Sequence, residues 1–177
     1  MENKTLQLNN LTDGLHFLSL GGIGEIGANC YLYGCDGKWI MIDLGLTFAD
    51  EKFPGVDLLV PKIDHIDSIQ DSLEAIIISH GHEDHAGAVA FFANKIKCPV
   101  YATKFAKLLI ENRLKEFNKI EGFILNELSL DEGLILNNFK LNFIPTTHSI
   151  PEPSAIVIQT SYGSLLHTAD WKIDKSP

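Results

Sequence analysis

Hydrophobic positions along the chain fall into short runs cut by glycine, aspartate and proline, a pattern of many short strands with a few helices between them. His16-Phe17-Leu18-Ser19-Leu20 predicts a strand that runs into the glycine-rich turn Gly21 to Gly27. Ala28 to Tyr33 predicts the next strand, and Gly34-Cys35-Asp36-Gly37 a hairpin connector. Trp39-Ile40-Met41-Ile42 and Ala75-Ile76-Ile77-Ile78-Ser79 are nearly continuous apolar runs, as strands buried on both faces require. Ile66 to Leu73 and Ala86 to Lys95 suit helices, Pro99 to Ala102 a strand. Thr103 suits the cap of a helix whose apolar face includes Phe105, Leu108 and Leu109. Four further strands are expected at Gly133–Leu136, Phe139–Ile144, Ala155–Thr160 and Ser164–His167. The alternation argues for a mixed α/β layered domain.

Composition changes this picture little. At 177 residues, with 45% hydrophobic and 21% charged positions, the chain suits one globular domain spanning 1–177. No apolar run approaches the ~20 residues of a membrane helix. Met1-Glu2-Asn3-Lys4-Thr5 opens no apolar signal segment, so the expected location is cytoplasmic. Cys30, Cys35 and Cys98 form no close pair and read as reduced, packed residues. The formal net charge of −9 disfavours a broad basic surface for gripping nucleic acid, although bound divalent metals would neutralise part of it.

Candidate chemistry concentrates at His80-Gly81-His82-Glu83-Asp84-His85, directly behind a buried strand. Two imidazoles two residues apart in an extended loop can share one cation, and Asp84 and His85 can reach a second a few ångströms away. Nitrogen ligands with a carboxylate suit zinc, with manganese or iron as alternatives. His148 and Asp170 also follow strands, and a carboxylate such as Asp170 could bridge two ions. Gly81 and Gly87 would let the backbone bend close to the metals. A lone histidine such as His16 is ordinarily a packing or surface residue; three histidines and an aspartate within six positions are not.

Other motifs weigh less. Gly22-x-Gly24-x-x-Gly27 spells a dinucleotide fingerprint, but the segment after it reads as a strand where the fingerprint must open a helix, so no NAD site is expected. Asp43, ending a buried strand, is either support behind a ligating imidazole or an ordinary turn residue. His167 is expected to pack rather than ligate. Ser149 has no free histidine–acid relay to activate it.

The run His-x-His-x-Asp-His, with the later His148 and Asp170, resembles the metallo-β-lactamase superfamily. Within it, the stretches Gly21–Gly27, Gly55-Val56-Asp57, Ser79–Ala88, His148-Ser149-Ile150-Pro151-Glu152 and His167–Asp174 resemble the ribonuclease J, or β-CASP, branch. The resemblance implies the first, amino-terminal half of an αββα sandwich with the β-CASP domain absent, a single partial domain. It implies RNA hydrolysis by a water activated between two zinc ions. His80, His82 and His148 would hold one ion, Asp84 and His85 the other, with Asp170 between them and Asp84 also orienting the water. The branch usually has glycine before the bridging aspartate, where this chain has Ala169; the added methyl is tolerable unless the backbone there needs positive φ. Family members continue with parts that supply a further ligating histidine, a histidine acting on substrate and much of the RNA-binding surface. Two rival readings stay open: a hydrolase of a small ester, lactam or thioester, and a catalytically silent fragment that self-associates, as a homodimer or with a partner, to cover apolar surface of the half-sandwich.

Overall fold

The computed structural model describes residues 8–118 and 121–175; the amino-terminal segment discussed above falls outside these through residue 7. In chain order the elements are β1 (Leu15–Gly21), β2 (Cys30–Cys35), β3 (Lys38–Ile42), β4 (Thr47–Phe48), β5 (Leu58–Leu59), β6 (Leu73–Ile78), α1 (Glu83–Ala86), α2 (Val89–Phe92), β7 (Val100–Ala102), α3 (Lys104–Glu116), β8 (Leu125–Glu127), β9 (Leu134–Ile135), β10 (Lys140–Pro145), β11 (Ser154–Thr160) and β12 (Gly163–His167). They build a six-stranded sheet ordered β1-β2-β3-β6-β7-β8, a four-stranded sheet ordered β12-β11-β10-β9, and the small β4–β5 hairpin.

The apolar runs are continuous because the first sheet is covered twice. Ile40, Ile42, Ala75 and Ile77 meet Phe139, Leu141, Phe143, Ile156 and Ile158 of the second sheet. Their alternate neighbours Trp39, Met41, Ile76 and Ile78 pack against Val89, Ala90, Ala106, Ile110 and Leu114 of the helices. Each such aliphatic side chain contributes about 1.5–3 kcal/mol. In the antiparallel half, β1-β2-β3, Asp36 and Gly37 join β2 to β3 at φ 48° and 76°, the two left-handed positions of a tight hairpin turn. β3, β6, β7 and β8 run parallel, so the carboxyl ends of β3 and β6 lie side by side.

Several expected elements are redrawn by tertiary contacts. The helix expected over 86–95 is two single turns, α1 and α2, beginning three residues earlier. Leu44 N–H donates to His85 O (2.8 Å) and Asn29 N–H to Asp84 O (3.0 Å), so two neighbouring loops take the carbonyls that residues 89 and 88 would use in a continuing helix. Between Asp64 and Ile69 the chain forms a 3₁₀ helix rather than the α-helix expected at 66–73; Ile63, Ile66 and Ile69 recur every third residue and are all buried, which suits the tighter winding. Thr103 stands at the N-cap of α3 but makes no side-chain cap hydrogen bond. The face α3 buries is Ala106, Ile110 and Leu114, while Leu108 and Leu109 are exposed. Small Ala106 wins that position because Gly81 lies against it. β8 and the β4–β5 pair had no recognisable pattern in the sequence.

Cys30, Cys35 and Cys98 are free and buried, as expected. The segment after Gly27 leads into strand β2, which removes the helix a dinucleotide fingerprint needs. Among the described residues no helix is long and apolar enough to cross a membrane.

Candidate metal centre

All six sequence-identified residues gather at one end of the sandwich, where strands of both sheets finish. His80, His82, Asp84 and His85 lie in and just beyond the loop after β6, His148 follows β10, and Asp170 follows β12. His82 Nδ1 is 3.1 Å from His80 Nε2 and 3.1 Å from His148 Nε2. His85 Nε2 is 3.6 Å from Asp84 Oδ2 and 3.5 Å from Asp170 Oδ1, while Asp170 Oδ2 is 3.5 Å from His148 Nε2. Asp170 thus presents one oxygen to each limb of the site. Two clusters with donor atoms mutually within 4.8 Å result: His80, His82 and His148, and His80, His85 and Asp170. Asp84 belongs to neither cluster; its carboxylate sits beside His85.

The tautomers follow from a buried network under the loop. Asp43 is fully buried. Its carboxylate accepts from Ser79 N–H (2.7 Å), the Ser79 hydroxyl (2.8 Å) and His85 Nδ1–H (2.7 Å). Having donated to Asp43, Ser79 Oγ is left to accept from His80 Nδ1–H at 3.0 Å. Both rings therefore carry a proton on Nδ1, and the Nε2 lone pairs face the site, as metal ligation requires. Of the two readings left open for Asp43, support behind an imidazole is the one observed.

Electrostatics follow the same network. Burial pushes the Asp43 carboxyl upward, but the adjacent His85 charge and the hydrogen bonds outweigh it and hold the pKa below the usual carboxylate range. Burial pushes His85 down, and the Asp43 charge and hydrogen bond reverse this, leaving it raised. His80 is lowered to about 3 by burial and then by the His85 charge; His82 is lowered by burial and by His148. Burial and mutual repulsion thus disfavour protons on His80 and His82, and neutral imidazoles are the form that ligates a cation.

Backbone hydrogen bonds fix the loop. Asn29 N–H donates to Asp84 O (3.0 Å), and Gly45 N–H donates to Asn29 O (2.9 Å). A Cβ at Gly45 would collide with the Asp84 carbonyl, so glycine is required there for close approach. Gly81 and Gly87, by contrast, do not take positive φ; they supply space against Ala106 and the Glu83 carbonyl rather than the bend expected of them. Ala169 does sit at φ 45°, so the condition under which its methyl would be unwelcome is met. An alanine in that conformation costs about 1–2 kcal/mol relative to its ordinary one, strain placed directly beside Asp170.

The sequence reading missed Asn29 and Ser79. The Asn29 amide reaches Asp84 O (3.1 Å), Asp84 Oδ2 (3.4 Å) and His85 Nε2 (3.1 Å), and its oxygen accepts from the Tyr31 hydroxyl (2.8 Å). Neither residue forms a ligand pattern; only adjacency to His80 hinted at Ser79. His167 is buried, within hydrogen-bonding reach of the Tyr33 hydroxyl (3.0 Å) and outside both clusters, so it packs as expected.

Comparison with known proteins agrees with this architecture. The family model of the metallo-beta-lactamase superfamily matches residues 23–171. Ribonuclease J of Sinorhizobium meliloti is 41% identical over 168 residues, 92% of this chain and 30% of that protein. Ribonuclease J of Thermus thermophilus is 36% identical over 172 residues, and ribonuclease J2 of Bacillus subtilis 32% over 166. The chain thus spans about 30% of the length of these curated relatives. Among solved structures, the metallo-beta-lactamase fold protein YhfI from Bacillus subtilis superposes with a TM-score of 0.62 at 16% identity, covering 92% of this chain and 65% of that one. Igni18, a metallo hydrolase from Ignicoccus hospitalis, gives 0.57 at 17%, covering 92% of this chain and 64% of that one. With the fold, the clustered ligand set and the family match in agreement, this chain belongs to the metallo-β-lactamase superfamily.

Proposed function

We propose that this chain carries the metal-binding part of a ribonuclease J-like enzyme that hydrolyses RNA phosphodiesters with the help of two divalent cations, zinc first and manganese as the alternative, in the cytoplasm. The observation that supports it most is the pair of clusters sharing His80, with the two Asp170 oxygens facing different limbs. The donor set fits such ions: imidazole lone pairs free of protons, carboxylates within reach, and a buried carboxylate behind them. His80, His82 and His148 would hold one cation, Asp84 and His85 the other, with Asp170 between. Bound there, the ions would lower the pKa of water and offset phosphate charge. Asp84 accepts the proton of the attacking water and orients it; Asp170 keeps the two limbs in register. Asp43, through Ser79 and His85, holds the ring protons away from the site.

RNA is preferred to a small ester, lactam or thioester because relatives 32–41% identical to this chain are ribonucleases J. The test offers the chain, with zinc or manganese, a 5′-monophosphorylated RNA, nitrocefin and S-lactoylglutathione. RNA shortening that stops on addition of a chelator is expected. Intact RNA beside hydrolysis of either small substrate would overturn the ribonuclease reading.

A second copy or another partner is proposed to cover the outer face of the four-stranded sheet. Ile144, opposite Ala155, and Leu166, opposite Val157, are 48% and 56% exposed there. Sedimentation as a monomer at every concentration would count against self-association.

A further inference from the structure

His148 has no hydrogen-bonded support behind its ring among the described residues. His80 and His85 are each fixed through their Nδ1 atoms, to Ser79 and Asp43. The Nδ1 of His148 is buried and has no hydrogen-bond partner among the described residues. Its ring stands on the loop after β10, in the second sheet, whereas the histidines it must meet stand at the end of the first. Placement of this ring therefore depends on how the loop 146–153 is tied across the sandwich.

Few ties are available. Thr146 N–H donates to Pro153 O (3.0 Å) and closes the loop on itself; Lys172 N–H donates to Thr147 O (2.7 Å) and binds it within its own half. Two side chains at its far end reach the other half. Ser154 Oγ makes a long contact to Ser79 O at 3.4 Å. Glu152 Oε2 accepts from Phe105 N–H, in the first turn of α3, at 2.9 Å. That donor is open because the N-cap residue Thr103 makes no side-chain cap hydrogen bond, and its hydroxyl is buried without a partner. Glu152 holds the left-handed conformation, φ 57°, that turns the chain there. A carboxylate at the amino end of a thirteen-residue helix is also favoured by the helix dipole.

We propose that Glu152 is a positioning residue for His148: by capping α3 from the opposite layer, it locks the His148 loop against the His80–His82 loop. The inference rests on the metal-site reading above. α3 is the right anchor, since Ala106 in its first turns packs against Gly81, between the two histidines. Glu152 touches no ligand itself; it transmits position.

The test is calorimetric titration of the metal-free chain with zinc alone. The wild type should show two binding events, one of which is lost in His148→Ala. Glu152→Ala should weaken that same event about tenfold, the lower end for groups that orient ligands, and leave the other event within about twofold. Glu152→Gln keeps an acceptor oxygen and should restore most of the affinity. Lys104→Glu added to Glu152→Ala replaces the acid at the helix start. It should recover thermal stability but not zinc affinity, which a merely helix-stabilising role would recover too. Unchanged binding in Glu152→Ala, equal weakening of both events, or rescue by Lys104→Glu would each overturn the inference. A wild type that takes up no zinc would instead overturn the metal-site reading beneath it.

Discussion

Replacing His80 with alanine is expected to remove metal binding at the position formed with His82 and His148 and to lower RNA hydrolysis by on the order of 10³-fold or more. His80 has one nitrogen free to ligate, Nε2, because Nδ1 donates to Ser79, so the truncation takes one of the three imidazoles from that position. The rate follows because the cations are asked for several kcal/mol of transition-state stabilisation, and each 1.4 kcal/mol is a factor of about ten. Zinc content after dialysis and turnover of 5′-monophosphorylated RNA check it; a variant retaining two metals per chain would refute the role of His80. The same substitution carries a pH signature in the metal-free protein. An unfolded histidine takes up its proton near pH ~6.5, whereas His80 in the fold is held to about 3. Between those values the unfolded state binds more protons than the folded one. His80 therefore supports stability above pH ~6.5, and that support is lost as pH falls through the window, at up to about 1.4 kcal/mol per pH unit. Urea midpoints at pH 7 and 5 should fall less in His80→Ala than in the wild type.

Asp43→Asn is the second large effect, and its cause is a proton rather than a cavity. The carboxylate accepts three hydrogen bonds in a site closed to water. An amide of the same shape has one acceptor oxygen and must turn its NH₂ toward a neighbour that is itself a donor. His85 can answer only by moving its proton from Nδ1 to Nε2, the atom that faces Asp84 and Asp170. A ring protonated there cannot ligate. Metal affinity at the His85 limb is expected to fall ten- to a hundredfold, with a stability loss of about 2 kcal/mol from the charge-assisted hydrogen bonds. Calorimetry and urea unfolding read the two losses, and ¹⁵N spectra of the imidazoles read the tautomer. A His85 that keeps its proton on Nδ1 in the variant would contradict the account.

The contrast between these two residues shows where legibility stops. His80, His82, Asp84 and His85 announce themselves because ligands on one loop must be close in sequence, and few other purposes put three imidazoles within six positions. His148 and Asp170 were readable only as polar residues at strand ends, joined to the run by family resemblance. Ser79, Asn29 and Glu152 carry no such mark. Their long-range partners are Asp43, 36 residues away, a loop 55 residues away and a helix start 47 residues away, contacts that exist only in the folded chain.

Helix boundaries divide the same way. Apolar runs at 39–42 and 75–79 were sufficient to place β3 and β6, since a strand covered on both faces has no polar positions to spare. The run 86–95 was misread as one helix because nothing local says that Leu44 and Asn29 will claim the carbonyls of His85 and Asp84. For α3 the pattern offered Leu108 and Leu109 as the buried face, and packing chose Ala106, Ile110 and Leu114 because a glycine loop needs a small residue opposite.

By itself, then, the sequence determined the layered α/β class, the family resemblance and the residue types of the candidate ligand set, all properties of residue type and short spacing. Tertiary structure alone decided which imidazole nitrogen faces the site, that Asp170 spans two limbs, and that Glu152 joins them from behind. Those depend on the direction of single hydrogen bonds between segments far apart in the chain, and no local pattern encodes a direction across a fold.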